Sequence, residues 1–282
     1  MSTFTIARLT FLEATRRKIL LAALLLGLLF LIIYGLGFHF LIVEAEMSVG
    51  NNNLLQLNEI RNFLLMAGMF VVNFLTSIMI VLTSVDTLSG EISSGTIQTL
   101  ASKPIRRWEI VMGKWLGFAG MLTLYLLLMG GGVMVIVFLR TGYTAPHPLR
   151  ALELIWLNGL VLLSVSILGG TILSTLANGV LVFGLYGIAF LGGWIEQIGS
   201  FLPNQAASHT AVNIGIITSL IMPSEALWKR AAHELQSPLV AALGFSPFSS
   251  AYYPSLLMVV YAALYTVITL TLAVLLFNQR DL

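Results

Sequence analysis

Six apolar runs, residues 19–38, 62–83, 115–139, 152–176, 180–199 and 255–277, succeed one another along the chain, and none has Asp, Glu, Lys, Arg or His in its middle. Each reaches or closely approaches the ~20 residues that a helix needs to cross a bilayer core. In hydrocarbon the backbone must satisfy its own hydrogen bonds, which a helix does within one segment. The runs therefore predict an all-α polytopic membrane protein with six transmembrane helices in a single domain over residues 1–282. Composition agrees: 58% hydrophobic and 9% charged residues leave far more apolar surface than a soluble domain of this length could bury. There is no cysteine, which excludes disulfides, thiolate metal sites and cysteine nucleophiles together.

The segments between the runs set the topology. Residues 1–18 carry Phe4, Ala7, Phe11, Leu12 and Ala14 at roughly helical spacing, with Ile6 and Leu9 off that stripe and Arg8, Glu13, Arg16 and Arg17 around it. This pattern predicts an interfacial helix. Residues 39–60 hold Glu44, Glu46 and Glu59 with no Lys or Arg. The loop side gathers Arg8, Arg16, Arg17, Lys18, Lys103, Arg106, Arg107, Lys114 and Arg280, against Arg140, Arg150, Lys229 and Arg230 on the other side and Arg61 at its boundary. The positive-inside rule then puts both termini and residues 84–114 in the cytoplasm. Asn178-Gly179 reads as the tight turn between spans four and five. In the outer segment 200–254, residues 211–222 are apolar but too short to span, which predicts an interfacial or re-entrant helix, and Pro223-Ser224-Glu225 leads into a second short helix carrying Trp228.

What the spans lack narrows the function. Ion-coupled transporters and lipid-embedded hydrolases need ionisable groups at membrane depth; the clearest mid-membrane polar side chain in the runs is Asn73, and Tyr125, Tyr186, Tyr261 and Tyr265 offer hydroxyls. An interhelical hydrogen bond is the expectation for Asn73. The chain has no GxxxxGK[ST] phosphate loop, since Gly113-Lys114 lacks both the earlier glycine and the following hydroxyl. No catalytic, cofactor or metal residues are therefore assigned. His39, His147, His209 and His233 are dispersed, and no basic stripe with aromatics suits nucleic acid. Energy for uphill transport must come from a partner, and residues 84–114 are the place to receive it.

Within that segment Ile97, Leu100 and Ala101 recur at i, i+3 and i+4, bounded by Gly90 and Gly95 before and Pro104 after. A helix of about two turns is marginal alone and must be packed, either in a partner's groove or on the ends of its own spans. Arg106, Arg107, Trp108, Lys114 and Trp115 read as membrane-interface anchors, with Lys114 snorkelling to headgroup level. Ser89-Gly90-Glu91, Gly95-Thr96, Lys103-Pro104-Ile105-Arg106-Arg107 and Gly113-Lys114 resemble the first cytoplasmic loop of type-2 ATP-binding-cassette permeases. Residues 220–227 and 277–282 are similar to a branch that includes permeases linked to copper-enzyme maturation. The resemblance implies a half-transporter that pairs with a second permease copy and with cytoplasmic ATPase subunits that bind the ATP. It also implies an elbow helix at the N-terminus, a coupling helix around Glu91, Gly95, Thr96, Ile97, Leu100 and Ala101, short outer helices between spans five and six, and a prokaryotic inner or plasma membrane. Export, or ATP-driven mechanotransmission without conduction, are the two functions compatible with it.

Overall fold

The computed structural model describes residues 3–16, 18–49, 53–95, 106–199, 205–238, 248 and 253–280. Among them are ten helices: α1 (Thr3–Arg16), α2 (Lys18–Val49), α3 (Leu54–Ser84), α4 (Ser89–Ser93), α5 (Arg107–Thr141), α6 (Pro148–Ile172), α7 (Thr175–Gly199), α8 (Gln205–Ile221), α9 (Ser224–Leu235) and α10 (Leu256–Gln279). Six of them, α2, α3, α5, α6, α7 and α10, are long and apolar enough to cross a membrane. The helices outrun the apolar stretches that announce them. At 32 and 35 residues, α2 and α5 reach about 50 Å at ~1.5 Å per residue, against a hydrocarbon core of ~30 Å. Glu44 and Glu46 thus continue α2 instead of lying in a loop, and Arg61 Nη2 donates to Glu46 Oε1 at 3.2 Å.

The bundle has two ends. The end of α3, α4, the start of α5, α1 and the end of α10 share the loop side, while the end of α2, the start of α3, the α5–α6 turn and the bent pair α8–α9 form the hairpin side. In the middle α6 packs against α3, α5, α7, α9 and α10, with Ile155, Val161, Leu162 and Leu163 buried. Lipid is as apolar as leucine, so close approach and interhelical hydrogen bonds must hold such helices together. Both are visible one residue apart on α6. A Cβ at Gly159 would lie 2.6 Å from Leu122 Cδ2 of α5, so a side chain there would require that leucine to shift. Asn158 Nδ2 donates to Asn73 Oδ1 at 3.0 Å and Ser77 Oγ at 3.3 Å, which is the interhelical bond expected of Asn73.

Three local expectations change. On α1 the buried side chains are Ile6, Thr10 and Ala14, while Phe4, Leu9 and Leu12 are exposed. The helix is gripped by a groove that Gly113 and Gly117 open on α5, where added Cβ atoms would meet Ile6 and Thr10 at 2.6 and 2.8 Å. Ile6, off the sequence stripe, is buried with Thr10 and Ala14 because a helix that packs on protein and meets lipid needs two apolar faces. Next, the chain breaks at Leu173, and Asn178-Gly179 lies inside α7. Asn178 is buried and donates to Val85 O at 3.0 Å and Ser166 O at 2.9 Å, so its side chain ties α7 to the end of α3 and to α6 and forms no turn. Finally, α8 has 17 residues instead of the twelve read from hydropathy, runs along α7, and meets α9 at a 108° bend after Ile221.

Candidate functional site

On the loop side, α3 ends at Ser84 and the chain passes through Asp86 into the short α4. Gly95 follows at φ +71, the left-handed region in which glycine carries no Cβ penalty. Thr96, Ile97, Leu100 and Ala101, the expected docking face, lie outside the described residues. The chain resumes at Arg106, whose backbone N–H donates to Glu109 Oε2 at 3.1 Å and so satisfies one end of the capping-box pattern that starts α5.

Both ends of this connection are stitched to the bundle. At the exit from α3, Ser84 Oγ donates to Ser166 Oγ at 2.8 Å, and Thr175 Oγ1 donates to Asp86 Oδ1 at 2.9 Å with Ser89 Oγ 2.9 Å from the same hydroxyl. At the entry to α5, Trp115 Nε1 donates to Ser164 Oγ at 2.9 Å. Arg107 Nη1 donates to Asn278 O at 3.1 Å and Arg280 O at 2.5 Å, placing a cation on the last carbonyls of α10. Arg280 in turn donates to Thr171 O at the end of α6. Joining exit to entry, Lys114 Nζ lies 2.5 Å from Glu91 Oε1 and 3.5 Å from Thr87 O. Lys114 is 3% exposed. Hydrogen bonds thus tie the two ends to α6, α7 and α10, and the Lys114–Glu91 ion pair ties them to each other.

Of the five residues read as interface anchors, Arg106 and Trp108 are exposed. Arg107 is spent on the α10 terminus, Trp115 on α6, and Lys114 is drawn inward to Glu91 instead of reaching toward headgroups. Sequence spacing could not show this, because the partners are 23 to 173 residues away.

The hairpin side holds a second cluster that sequence reading missed. Glu196, near the end of α7, lies 2.5 Å from Lys229 Nζ of α9, and Glu225 sits one turn before Lys229; all three are buried. Glu225 lies outside the six spans, and burial raises its carboxyl to about 7, with Lys229 opposing and Glu196 adding to the rise. Glu196 stands near the end of the fifth apolar run, outside its middle, and is buried there. The i, i+4 spacing of Glu225 and Lys229 was a legible signal, but their partner on α7 was not. Beside this cluster Asn62 fixes the end of α9: its Nδ2 donates to Tyr143 Oη at 2.9 Å and Leu235 O at 2.7 Å, and its Oδ1 accepts from Ser237 N at 3.2 Å. Among the described residues no three His, Asp or Glu side chains converge on a point that could hold a metal ion.

In both clusters the bonds join one helix to another. A search among curated proteins finds no match to this chain. The family model described as ABC-2 family transporter protein matches residues 4–282, so this six-span chain belongs to the ABC-2 transporter family and is a permease of that type.

Proposed function

We propose that the chain is the transmembrane permease subunit of an ATP-driven exporter, with the loop side in the cytoplasm. A separate ATP-binding-cassette subunit grips residues 96–101, and a second permease copy completes the path. The observation that carries this reading is the stitching of the loop: an ion pair joins its two ends, and hydrogen bonds tie those ends to α6, α7 and α10. These ties give the loop a stiff route into three helices, which suits a loop that receives a push. Glu91, Gly95, Thr96, Ile97, Leu100 and Ala101 form the docking part, and Arg106, Arg107, Trp108, Lys114 and Trp115 its rigid footing.

The test is co-expression with an ATP-binding-cassette ATPase encoded beside it. The reading expects a stable complex whose ATP hydrolysis depends on the permease and is uncoupled by Ile97→Asp with Leu100→Asp, while membrane insertion is unchanged. Absence of a complex, or unchanged coupling in the double variant, contradicts it. Vesicles holding a coupled complex that moves no solute would replace export with pure mechanotransmission.

A further inference from the structure

On the hairpin side, where α9 crosses the first turns of α6 and α10, a cleft of about 520 Å³ opens, with Arg150, Glu153, Arg230 and Glu234 on its lining. Leu157, Leu256 and Val259 are among its apolar lining. Across Glu153 and Trp156 lies a second, nearly all-apolar groove of about 230 Å³, with Leu126, Leu127 and Leu152 on its walls. Two apolar troughs thus descend from one charged rim.

The rim charges are unequally engaged. Arg230 Nη2 is 3.0 Å from Glu234 Oε1, its Nη1 donates to Pro254 O at 3.4 Å, and its guanidinium lies 5.4 Å from the Tyr253 ring centroid. Arg150 reaches Glu234 Oε2 only at 3.7 Å, beyond hydrogen-bonding distance, and its side chain is 67% exposed. Glu153, one turn along α6, is exposed and has no ion pair among the described residues. One available cation and one available anion therefore stand side by side above two troughs. Acyl chains gain little by leaving bilayer for an apolar groove, so selection must come from the head, through charge-assisted bonds at the rim.

We propose that this cleft holds one zwitterionic phospholipid, its phosphate on Arg150, its ammonium on Glu153 and its chains in the two troughs, pinning α9 to α6 and α10. The inference rests on the fold alone and does not depend on the ATPase partnership. An aromatic–arginine belt that merely meets bulk lipid would need the arginine and Trp156 but not the acid.

The test is native mass spectrometry of the full chain in detergent, titrated with phosphatidylethanolamine, with phosphatidylglycerol, which lacks the amine, and with water-soluble glycerophosphoethanolamine, which lacks the chains. One phosphatidylethanolamine per protomer is expected at roughly tenfold lower concentration than phosphatidylglycerol, with no adduct of the chainless head. Glu153→Gln should erase that preference and Arg150→Ala should weaken both lipids, with thermal unfolding confirming that each variant is folded. Equal binding of the two lipids, indifference to both substitutions, or equal binding of the chainless head overturns the proposal. In this cysteine-free chain, rapid 153–153 cross-linking of Glu153→Cys would show a second copy covering the cleft and would also overturn it.

Discussion

The bundle buries a lysine–glutamate pair at each end, both at 2.5 Å, and the two are built differently. On the loop side Lys114 faces one acid, Glu91, whose second oxygen is buried without a hydrogen-bond partner among the described residues. On the hairpin side Lys229 serves Glu196 with a second acid, Glu225, close by, and that acid is already inclined to stay protonated. A pair with a spare, protonatable acid tolerates disturbance, because a freed carboxylate can be neutralised. A pair without one is brittle. Brittleness suits a link that must pass a push from one segment to another, and tolerance suits a seal that holds a bent helix pair in place.

The largest effect that can sharpen this contrast is Lys114→Met. It leaves Glu91 buried and unpaired, at a cost of about 3–5 kcal/mol, read as a drop in thermal unfolding temperature in detergent. Adding Glu91→Gln to it should recover much of the loss; a purely additive double variant would show that the two side chains are not coupled. Lys229→Met should cost less, about 1–3 kcal/mol, because Glu225 beside it is already inclined to hold its proton. Its signature should be faster hydrogen exchange in α8 and α9 with α4 unchanged. Faster exchange spread equally to α4 would erase the distinction between the ends.

A further effect is on pH. The folded carboxyl of Glu225 lies above its ordinary value of 4.5, at about 7. A raised acid contributes stability that is full below its unfolded value and is lost as pH rises through its folded one. The hairpin should therefore be more protected from exchange near pH 5 than near pH 8, and Glu225→Gln should flatten that slope. A slope that survives the substitution assigns the titration to another group.

The six spans were legible because length and absence of charge are properties of the sequence line, needing no knowledge of neighbours. The bent pair was legible through Pro223 and the apolar run before it, although α8 extends to Gln205 through polar residues that hydropathy discards. What escaped was tertiary. Asn178 before glycine looks like a turn until Val85 and Ser166 supply carbonyls to satisfy it within a helix. Lys114 looks like a snorkelling cation until Glu91 is folded back onto it, and Arg107 looks like a headgroup ligand until α10 ends beside it. Ile6 fell off its stripe because a helix held by Gly113 and Gly117 presents one face to protein and another to lipid. In each case the residue type was noticed and its partner, supplied by another helix, was not.

The central claim is that the Glu91–Lys114 link carries motion from the loop into the spans. The absence of cysteine allows spin labels to be placed at chosen sites, such as Leu149→Cys on the hairpin side, with distances between two copies measured in the complex with its ATPase, with and without ATP. The account predicts an ATP-dependent distance change in the otherwise unaltered chain and none in Lys114→Met, while ATP is still bound and hydrolysed. The same distance change in Lys114→Met would contradict it.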